Sequence, residues 1–259
     1  MSGKGIDWLR AFGGGLLTTW GLSNVGVPGG KHGLHGRITN IPAEVESIVQ
    51  PEPHRGKMDM QITGIVREAT VFGSILTLRR TISSRLGESV IRIKDEVTNE
   101  GNQAVPLMLL YHINFGWPLV DEGAQILWEG AWKPRFPEKA SIFVEGNDFK
   151  KCPPPLDSHS GTGEEVAFID PEADSEGRCM CGIHNEALGL SVKVAFQKNQ
   201  LPHLTNWQHW GKYEYVTGLE PGTHPPIGQE AAEAQGQLEY LAPLQTRVFE
   251  LEINVQPTS

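Results

Sequence analysis

Two ionisable side chains occur where the sequence otherwise has the pattern of buried strands. His112 directly follows the apolar run 106–111, and Glu220 directly follows an apolar pair and precedes the strand-ending Pro221–Gly222. An ionised carboxylate can accept a proton and a protonated imidazole can donate one, so the two residue types are suited to general acid–base catalysis. Each alone has an ordinary structural explanation, a hydrogen-bonded core histidine and a solvated turn glutamate. Two such sites at the ends of apolar strands favour a shared chemical role.

A glycine-rich segment, 31–40, holds the next candidates. Its sequence KHGLHGRITN places His32, His35 and Arg37 among glycines, which allow a ligand to approach the backbone closely. The alternatives are a tight turn with exposed histidines and a metal site. The spacing from His32 to His35 differs from that of helical zinc pairs, and no nearby cysteine or carboxylate completes a ligand set, so we predict neither a metal nor another cofactor.

A third cluster combines aromatic rings with hydrogen-bonding groups. The segment 201–215, LPHLTNWQHWGKYEY, contains His203 and Trp207. Aromatic faces pack against the C–H groups of sugars, and imidazole or indole N–H groups donate to hydroxyls. The alternative is that these aromatic residues belong to the core. Asn114, two residues after His112 and therefore on the same side of a strand, is a further candidate for binding hydroxyl groups.

The elements that must position these residues are strands. Apolar and polar residues alternate, with many β-branched side chains, in eight segments: 61–70, 74–83, 89–99, 105–115, 164–170, 178–185, 188–197 and 246–255. Glycine- and proline-containing turns separate these segments, and helical periodicity is confined to 229–235. The pattern predicts an all-β protein built as one large sandwich with a concave face.

Composition and charge narrow the class of function. The chain has 259 residues and a formal net charge of −9, so we expect no nucleic-acid partner, because phosphate binding depends on a basic surface. No apolar run reaches the roughly 18 residues of a membrane span, and the start lacks a charged region followed by an apolar one. We therefore predict no membrane association and a cytoplasmic location. Exposed edge strands would permit a homodimer.

Three cysteines, Cys152, Cys179 and Cys181, are too few for a disulfide framework. An odd number of cysteines fits a reducing compartment. In a strand, the period of two places Cys179 and Cys181 on the same face, where both would act as small apolar fillers.

Four blocks of sequence resemble a known family. LHGRITNIPAE, LMLLYHINFGWPLV, LPHLTNWQHW and YVTGLEPGTHP occur in this order and resemble the galactose mutarotase-like superfamily, the relatives of aldose 1-epimerase, and most closely its DUF4432 branch. The resemblance extends from GGGLLTTWGL to the final strand. It implies a large antiparallel β-supersandwich that forms a single domain, 1–259, with the sugar bound on a concave sheet.

The resemblance also implies roles for individual residues. In aldose 1-epimerases a strand histidine is the general acid and a glutamate after leucine is the general base, and the matching positions are His112 and Glu220. His35 matches a binding histidine of the family, and Arg37 beside it would contact a hydroxyl or a phosphate. The implied activity is that of a mutarotase, an isomerase of carbohydrate metabolism that interconverts sugar anomers without a cofactor.

The chemistry of such a reaction needs few groups. A proton leaves the C1 hydroxyl, another reaches the ring oxygen, and the open chain rotates about C1–C2 before it closes again. Contacts from His35, Arg37, Asn114, His203 and Trp207 would hold a sugar or sugar phosphate between the acid and the base.

Two other classes of function remain open from the sequence. One is a metal-dependent or other sugar isomerase, epimerase or lyase on the same fold, and the other is a noncatalytic carbohydrate-binding protein. The substrate is equally open, because Arg79 and Arg80 are either part of a solvated strand face or partners for a phosphorylated or acidic sugar.

Overall fold

The computed structural model describes residues 7–10 and 12–258. About 52% of the residues are in strands and about 8% in helical turns, which confirms the predicted all-β class. We expected the start of the chain to lack a charged region followed by an apolar one, and residues 1–6 of that start lie outside the described residues. In the part of the chain that the structure describes, no helix has the length and apolarity of a membrane span.

The secondary structure follows the alternation of the sequence. The strands are β1 (Leu17–Leu22), β2 (Glu44–Val49), β3 (Asp59–Ala69), β4 (Ile75–Arg85), β5 (Val90–Asn99), β6 (Val105–Gly116), β7 (Gln125–Trp128), β8 (Gly130–Pro134), β9 (Glu165–Pro171), β10 (Arg178–Asn185), β11 (Leu190–Gln197), β12 (His203–Gly211), β13 (Glu214–Gly222), β14 (Glu239–Leu241) and β15 (Thr246–Pro257). Short 3₁₀ turns lie at Asp7–Arg10, Ile38–Asn40, Pro53–Arg55, Pro137–Lys139 and Asp157–His159, and one α-helix, α1, spans Gln229–Ala234 among the described residues. All eight predicted strand segments and the predicted helical segment are present.

The strands form two antiparallel sheets. One has the order β1-β6-β13-β12-β9-β8, with β14 also paired to β6, and the other has the order β2-β3-β4-β5-β15-β11-β10-β7. The chain divides into two compact units. The first contains Thr19–Leu110 and Pro226–Ile253 with the described residues before Gly14, and the second contains Gly14–Thr18, Tyr111–Pro225 and the residues from Asn254 onwards.

In the second unit, the pairing of β12 with β13 sets the positions of the candidate site residues. Thr205 is opposite Glu220, and Trp207 is opposite Gly218. Directly opposed residues in an antiparallel pair project to the same face of the sheet. Glu220 and Trp207 therefore share one face of these two strands, although 13 positions separate them in the chain.

The opposite side of β12 is held by a buried polar network. Asn206 and Gln208 are almost completely buried and are hydrogen-bonded to each other. Trp128 donates its indole N–H to Asn206, and Trp210 donates its indole N–H to Gln208. Because satisfied buried polar networks fix one arrangement of a core, this network keeps the register and orientation of β12.

In the first unit, a buried ion pair joins β4 to β5. Arg80 donates to both carboxylate oxygens of Asp95, at 2.8 and 2.5 Å, and Asp95 is fully buried. Arg80 also donates to the hydroxyl of Thr19 at 2.7 Å. Arg79 instead pairs with Glu46 and Glu96 on a partly exposed face, as a solvated strand face would.

All three cysteine side chains are buried and are free thiols. Cys179 and Cys181 lie on β10, as expected of apolar fillers on one strand face. Burial raises the pKa of the Cys152 thiol to about 12 and also raises the pKa of the Cys181 thiol. Reactive thiolate is therefore scarce in the folded protein at neutral pH.

We expect replacement of Arg80 by methionine to lower the free energy of unfolding by about 3–5 kcal/mol, because the carboxylate of Asp95 stays buried without the guanidinium. Urea unfolding measures the loss. Arg79→Met is the matched control and should cost less than about 1 kcal/mol, since its carboxylate partners are partly solvated. Equal losses in the two variants would contradict this account of the β4–β5 pair.

We also expect the native protein to resist a thiol reagent such as Ellman's reagent at pH 8 over minutes. After unfolding in guanidinium chloride, all 3 thiols should react. Rapid stoichiometric labelling of the native chain would show that at least one of these cysteines is accessible and ionised.

Candidate active site

His112 and Glu220 are in direct contact inside the second unit. Nε2 of His112 lies 3.0 Å from Oε1 of Glu220, and the two side chains are 6% and 2% exposed. They belong to β6 and β13, which are neighbours in the same sheet. Two residues separated by more than a hundred positions in the sequence thus form one buried acid–base pair.

His112 lies within β6, four residues before the end of the strand. We expected the imidazole at the point where the core ends, but β6 continues to Gly116, and the flanking Tyr111 and Ile113 are fully buried. The strand is extended because the backbone N–H of Asn114 still pairs with the carbonyl of Leu16. Because successive residues of a strand face opposite sides, Tyr111 and Ile113 pack into the core on the side of β6 away from His112, and the expected position of the imidazole at the margin of the core stays a prediction.

Space for the imidazole comes from a glycine on the neighbouring strand. A Cβ at position 218 would lie 2.8 Å from Oε1 of Glu220, 3.1 Å from Cε1 of His112 and 3.4 Å from Cε3 of Trp207. Such distances leave no room for a side chain. Gly218 thus allows the side chains of His112, Trp207 and Glu220 to converge on one point.

The indole of Trp207 lies beside His112 and Gly218. Its ring centroid lies 5.7 Å from that of His112, and the indole is partly buried. The indole N–H donates to Oε2 of Glu164 at 2.6 Å, while Oε1 of Glu164 lies 2.5 Å from Nη2 of Arg135. A carboxylate that is itself held by a guanidinium therefore fixes the orientation of the ring.

Both side chains of the His112–Glu220 pair are almost completely removed from water. Oε1 of Glu220 accepts no aligned hydrogen bond from the residues that the structure describes, although it lies within ion-pair distance of His112. A buried carboxylate oxygen without a full set of donors is costly, and such oxygens are found where chemistry or binding requires them. The oxygen is enclosed by protein, so a hydroxyl group meets it only by taking the place of His112.

Two other predicted binding residues lie in the same unit. His203 is partly buried on β12, and burial lowers its pKa while the nearby Asp170 carboxylate acts in the opposite direction. Its spacing from Trp207 places it on the same face of the strand. Asn114 donates its side-chain amide to the carbonyl of Gly15 at 2.9 Å, so this amide already has a backbone partner.

The remaining predicted binding residues, His35 and Arg37, belong to the first unit. The His35 ring stacks on Trp20 with a centroid distance of 3.4 Å, and Trp8 meets the ring edge-on at 4.9 Å. Nδ1 of His35 accepts the backbone N–H of Gly26. Arg37 is exposed and precedes a 3₁₀ turn. Their predicted roles in binding stay predictions.

Close backbone packing explains the glycines around His35. A Cβ at Gly36 would lie 2.3 Å from the carbonyl oxygen of Gly21 and 2.6 Å from that of Asn24. Gly36 also has a φ of 74°, a backbone conformation that favours glycine. The glycine-rich pattern of 31–40 therefore reflects a tightly folded loop.

Sequence reasoning missed Gly218, Glu164 and Arg135. A glycine in the middle of a strand commonly marks a close approach, so Gly218 could have been identified from that rule. Glu164 and Arg135 gave no comparable signal, because they flank strands in polar stretches and their partners are distant in the chain. Among the described residues, no group of three His, Cys, Asp or Glu side chains is arranged to hold a metal ion.

Comparison with known proteins identifies the fold. A family model described as a domain of unknown function, DUF4432, matches residues 1–255. No curated protein matches the sequence. A candidate aldose 1-epimerase from Klebsiella pneumoniae is similar with a TM-score of 0.83 and 23% identity, and the alignment covers 98% of this chain and 66% of that protein.

More distant structures have the same architecture. A galactose mutarotase-like protein from Clostridium acetobutylicum has a TM-score of 0.61 and 10% identity, covering 93% of this chain and 79% of its own. A GalM/aldose epimerase homologue from C. elegans has a TM-score of 0.58 and 14% identity, covering 95% and 82%. Because the family model spans almost the whole sequence, the chain belongs to the DUF4432 family, and its fold is the all-β galactose mutarotase-like fold.

Proposed function

We propose that the protein interconverts the anomers of an aldose by general acid–base catalysis, with His112 as the acid and Glu220 as the base. The observation that carries this proposal is the buried contact between them, 3.0 Å from Nε2 to Oε1. The likeness to candidate aldose 1-epimerases and mutarotase homologues supports the choice of reaction class.

The reaction uses both members of the pair in opposite protonation states. The Glu220 carboxylate takes the proton of the C1 hydroxyl, and the His112 imidazolium gives its proton to the ring oxygen. The bond between C1 and the ring oxygen breaks, and C1 becomes a carbonyl carbon. This step leaves a protonated Glu220 and a neutral His112.

Ring closure on the other face restores the enzyme. After rotation about C1–C2, the chain hydroxyl attacks the other face of the C1 carbonyl and returns its proton to His112, while Glu220 returns its proton to the carbonyl oxygen. No net proton is gained or lost. The balance explains why an adjacent acid and base are sufficient.

Before the sugar enters, the contact between His112 and Glu220 keeps both groups in place. The imidazolium and the carboxylate stabilise each other in a site that excludes water. A sugar that places its C1 hydroxyl at Oε1 of Glu220 satisfies the oxygen that lacks an aligned donor. Trp207 would then pack against ring C–H groups, and His203 on the same strand face is the candidate for a distal hydroxyl or phosphate.

We expect His112→Asn and Glu220→Gln each to lower kcat/KM for anomer exchange by about 10²–10⁴-fold, because each removes one proton-transfer group and keeps its approximate shape. Magnetisation-transfer NMR across a panel of free and phosphorylated aldoses measures the exchange.

His54→Asn is the matched control, since His54 is exposed and lies in the other unit. This variant should exchange anomers like the wild type. If no sugar in the panel is exchanged by well-folded wild-type protein, or if both site variants retain full rates, the mutarotase proposal is wrong.

We expect Gly218→Ala to lower kcat for anomer exchange by about 10²-fold while the protein remains folded, since a Cβ there displaces His112 and Glu220 from each other. Gly116→Ala on β6 is the matched control, because its Cβ would meet no neighbour closer than 3.9 Å. Comparable rates in the two alanine variants would show that the close packing at position 218 has no catalytic importance.

A further inference from the structure

The N–H edge of Trp207 is already occupied within the protein. Its indole N–H donates to Oε2 of Glu164 at 2.6 Å. The acceptor is a carboxylate, so this is a charge-assisted hydrogen bond of the stronger kind. A ligand beside His112 can therefore contact Trp207 through the face of the ring and not through its N–H.

Glu164 is itself fixed from its other oxygen. Nη2 of Arg135 lies 2.5 Å from Oε1 of Glu164, and the guanidinium carbon lies 4.7 Å from the centre of the Phe136 ring. Glu164 and Arg135 are 36% and 30% exposed, so solvent weakens the pair without removing it. The carboxylate can thus hold a single orientation toward Trp207.

The residue next to Glu164 restrains the neighbouring ring of β12. The carbonyl of Gly163 lies 2.5 Å from Nδ1 of His209, and His209 stacks parallel to Trp207 with centroids 5.8 Å apart. Residues 163 and 164 therefore hold two successive rings on one strand face. The 3₁₀ turn Asp157–His159 is also bonded to β12, because the backbone N–H of Trp210 donates to Nδ1 of His159.

We propose that Glu164 is a positioning residue that holds Trp207 as a platform for the C–H face of a pyranose ring, beside the His112–Glu220 pair. This inference rests on the proposed function for its link to catalysis. The ligand class is a sugar that presents an apolar face to the indole and its anomeric centre to the pair. Glu164 acts through Trp207 and does not touch the reacting atoms.

The first test is independent of activity. Among the 7 tryptophan indole N–H signals in a ¹⁵N-labelled sample, the signal absent from Trp207→Phe identifies Trp207. We expect Glu164→Leu to shift this signal and to accelerate its hydrogen exchange. Glu164→Gln, which keeps an acceptor oxygen, should preserve most of the protection.

The second test measures what the platform does for the substrate. We expect Glu164→Leu to raise KM for anomer exchange by about tenfold with kcat within about twofold, as loss of one oriented aromatic contact would. In the Trp207→Phe background, which lacks the N–H, Glu164→Leu should have little further effect. Glu164→Gln should restore a KM close to that of the wild type.

The outcomes separate this inference from the proposed function. If the wild type exchanges no anomers, but D-glucose or D-galactose perturbs the Trp207 signal and binds about tenfold more weakly to Glu164→Leu, the platform stands and the mutarotase proposal fails. An unchanged Trp207 signal in Glu164→Leu, or the absence of any effect of sugars on that signal in the wild type, overturns the platform.

Discussion

The contact between His112 and Glu220 removes an imidazole and a carboxylate from water together, and this constraint governs the surrounding structure. Their 3.0 Å separation in an interior that exposes almost none of either side chain is favourable only while both groups remain together. Losing either partner leaves the other buried without its counterpart. On the proposed function, these two groups are the acid and the base, and a polar ligand replaces their mutual contact.

The pairing of β12 with β13 fixes the positions of the side chains around this contact. The register of β12 and β13 places Trp207 opposite Gly218, and the missing side chain at Gly218 leaves the volume that the imidazole and the carboxylate need. A slip of one residue by either strand would turn the site residue of that strand, Trp207 on β12 or Glu220 on β13, to the other face. The buried amides of Asn206 and Gln208 oppose such a slip, because their hydrogen bonds exist in one register.

Much of this architecture could be predicted from local pattern. Alternation identified eight strands, and the apolar neighbours of His112 and Glu220 marked both residues as exceptional before their contact was known. The strand β12 escaped prediction because its polar residues face the core as well as the site, as Asn206 and Gln208 illustrate, so it lacks a clean period of two. Glu164 could not be foreseen, because the role proposed for it depends on a hydrogen bond with Trp207, which is 43 positions away in the chain. His35 was identified by type, but its stacking on Trp20 depends on tertiary packing.

The central claim is that a sugar's anomeric centre replaces the contact between His112 and Glu220, and a crystal structure of the Glu220→Gln variant with a bound aldose tests it most directly. The account predicts the C1 hydroxyl within about 3.2 Å of the residue 220 side chain and the ring oxygen within hydrogen-bonding distance of His112. A sugar bound in this unit with C1 and the ring oxygen directed away from both side chains, or bound only elsewhere on the chain, would contradict it.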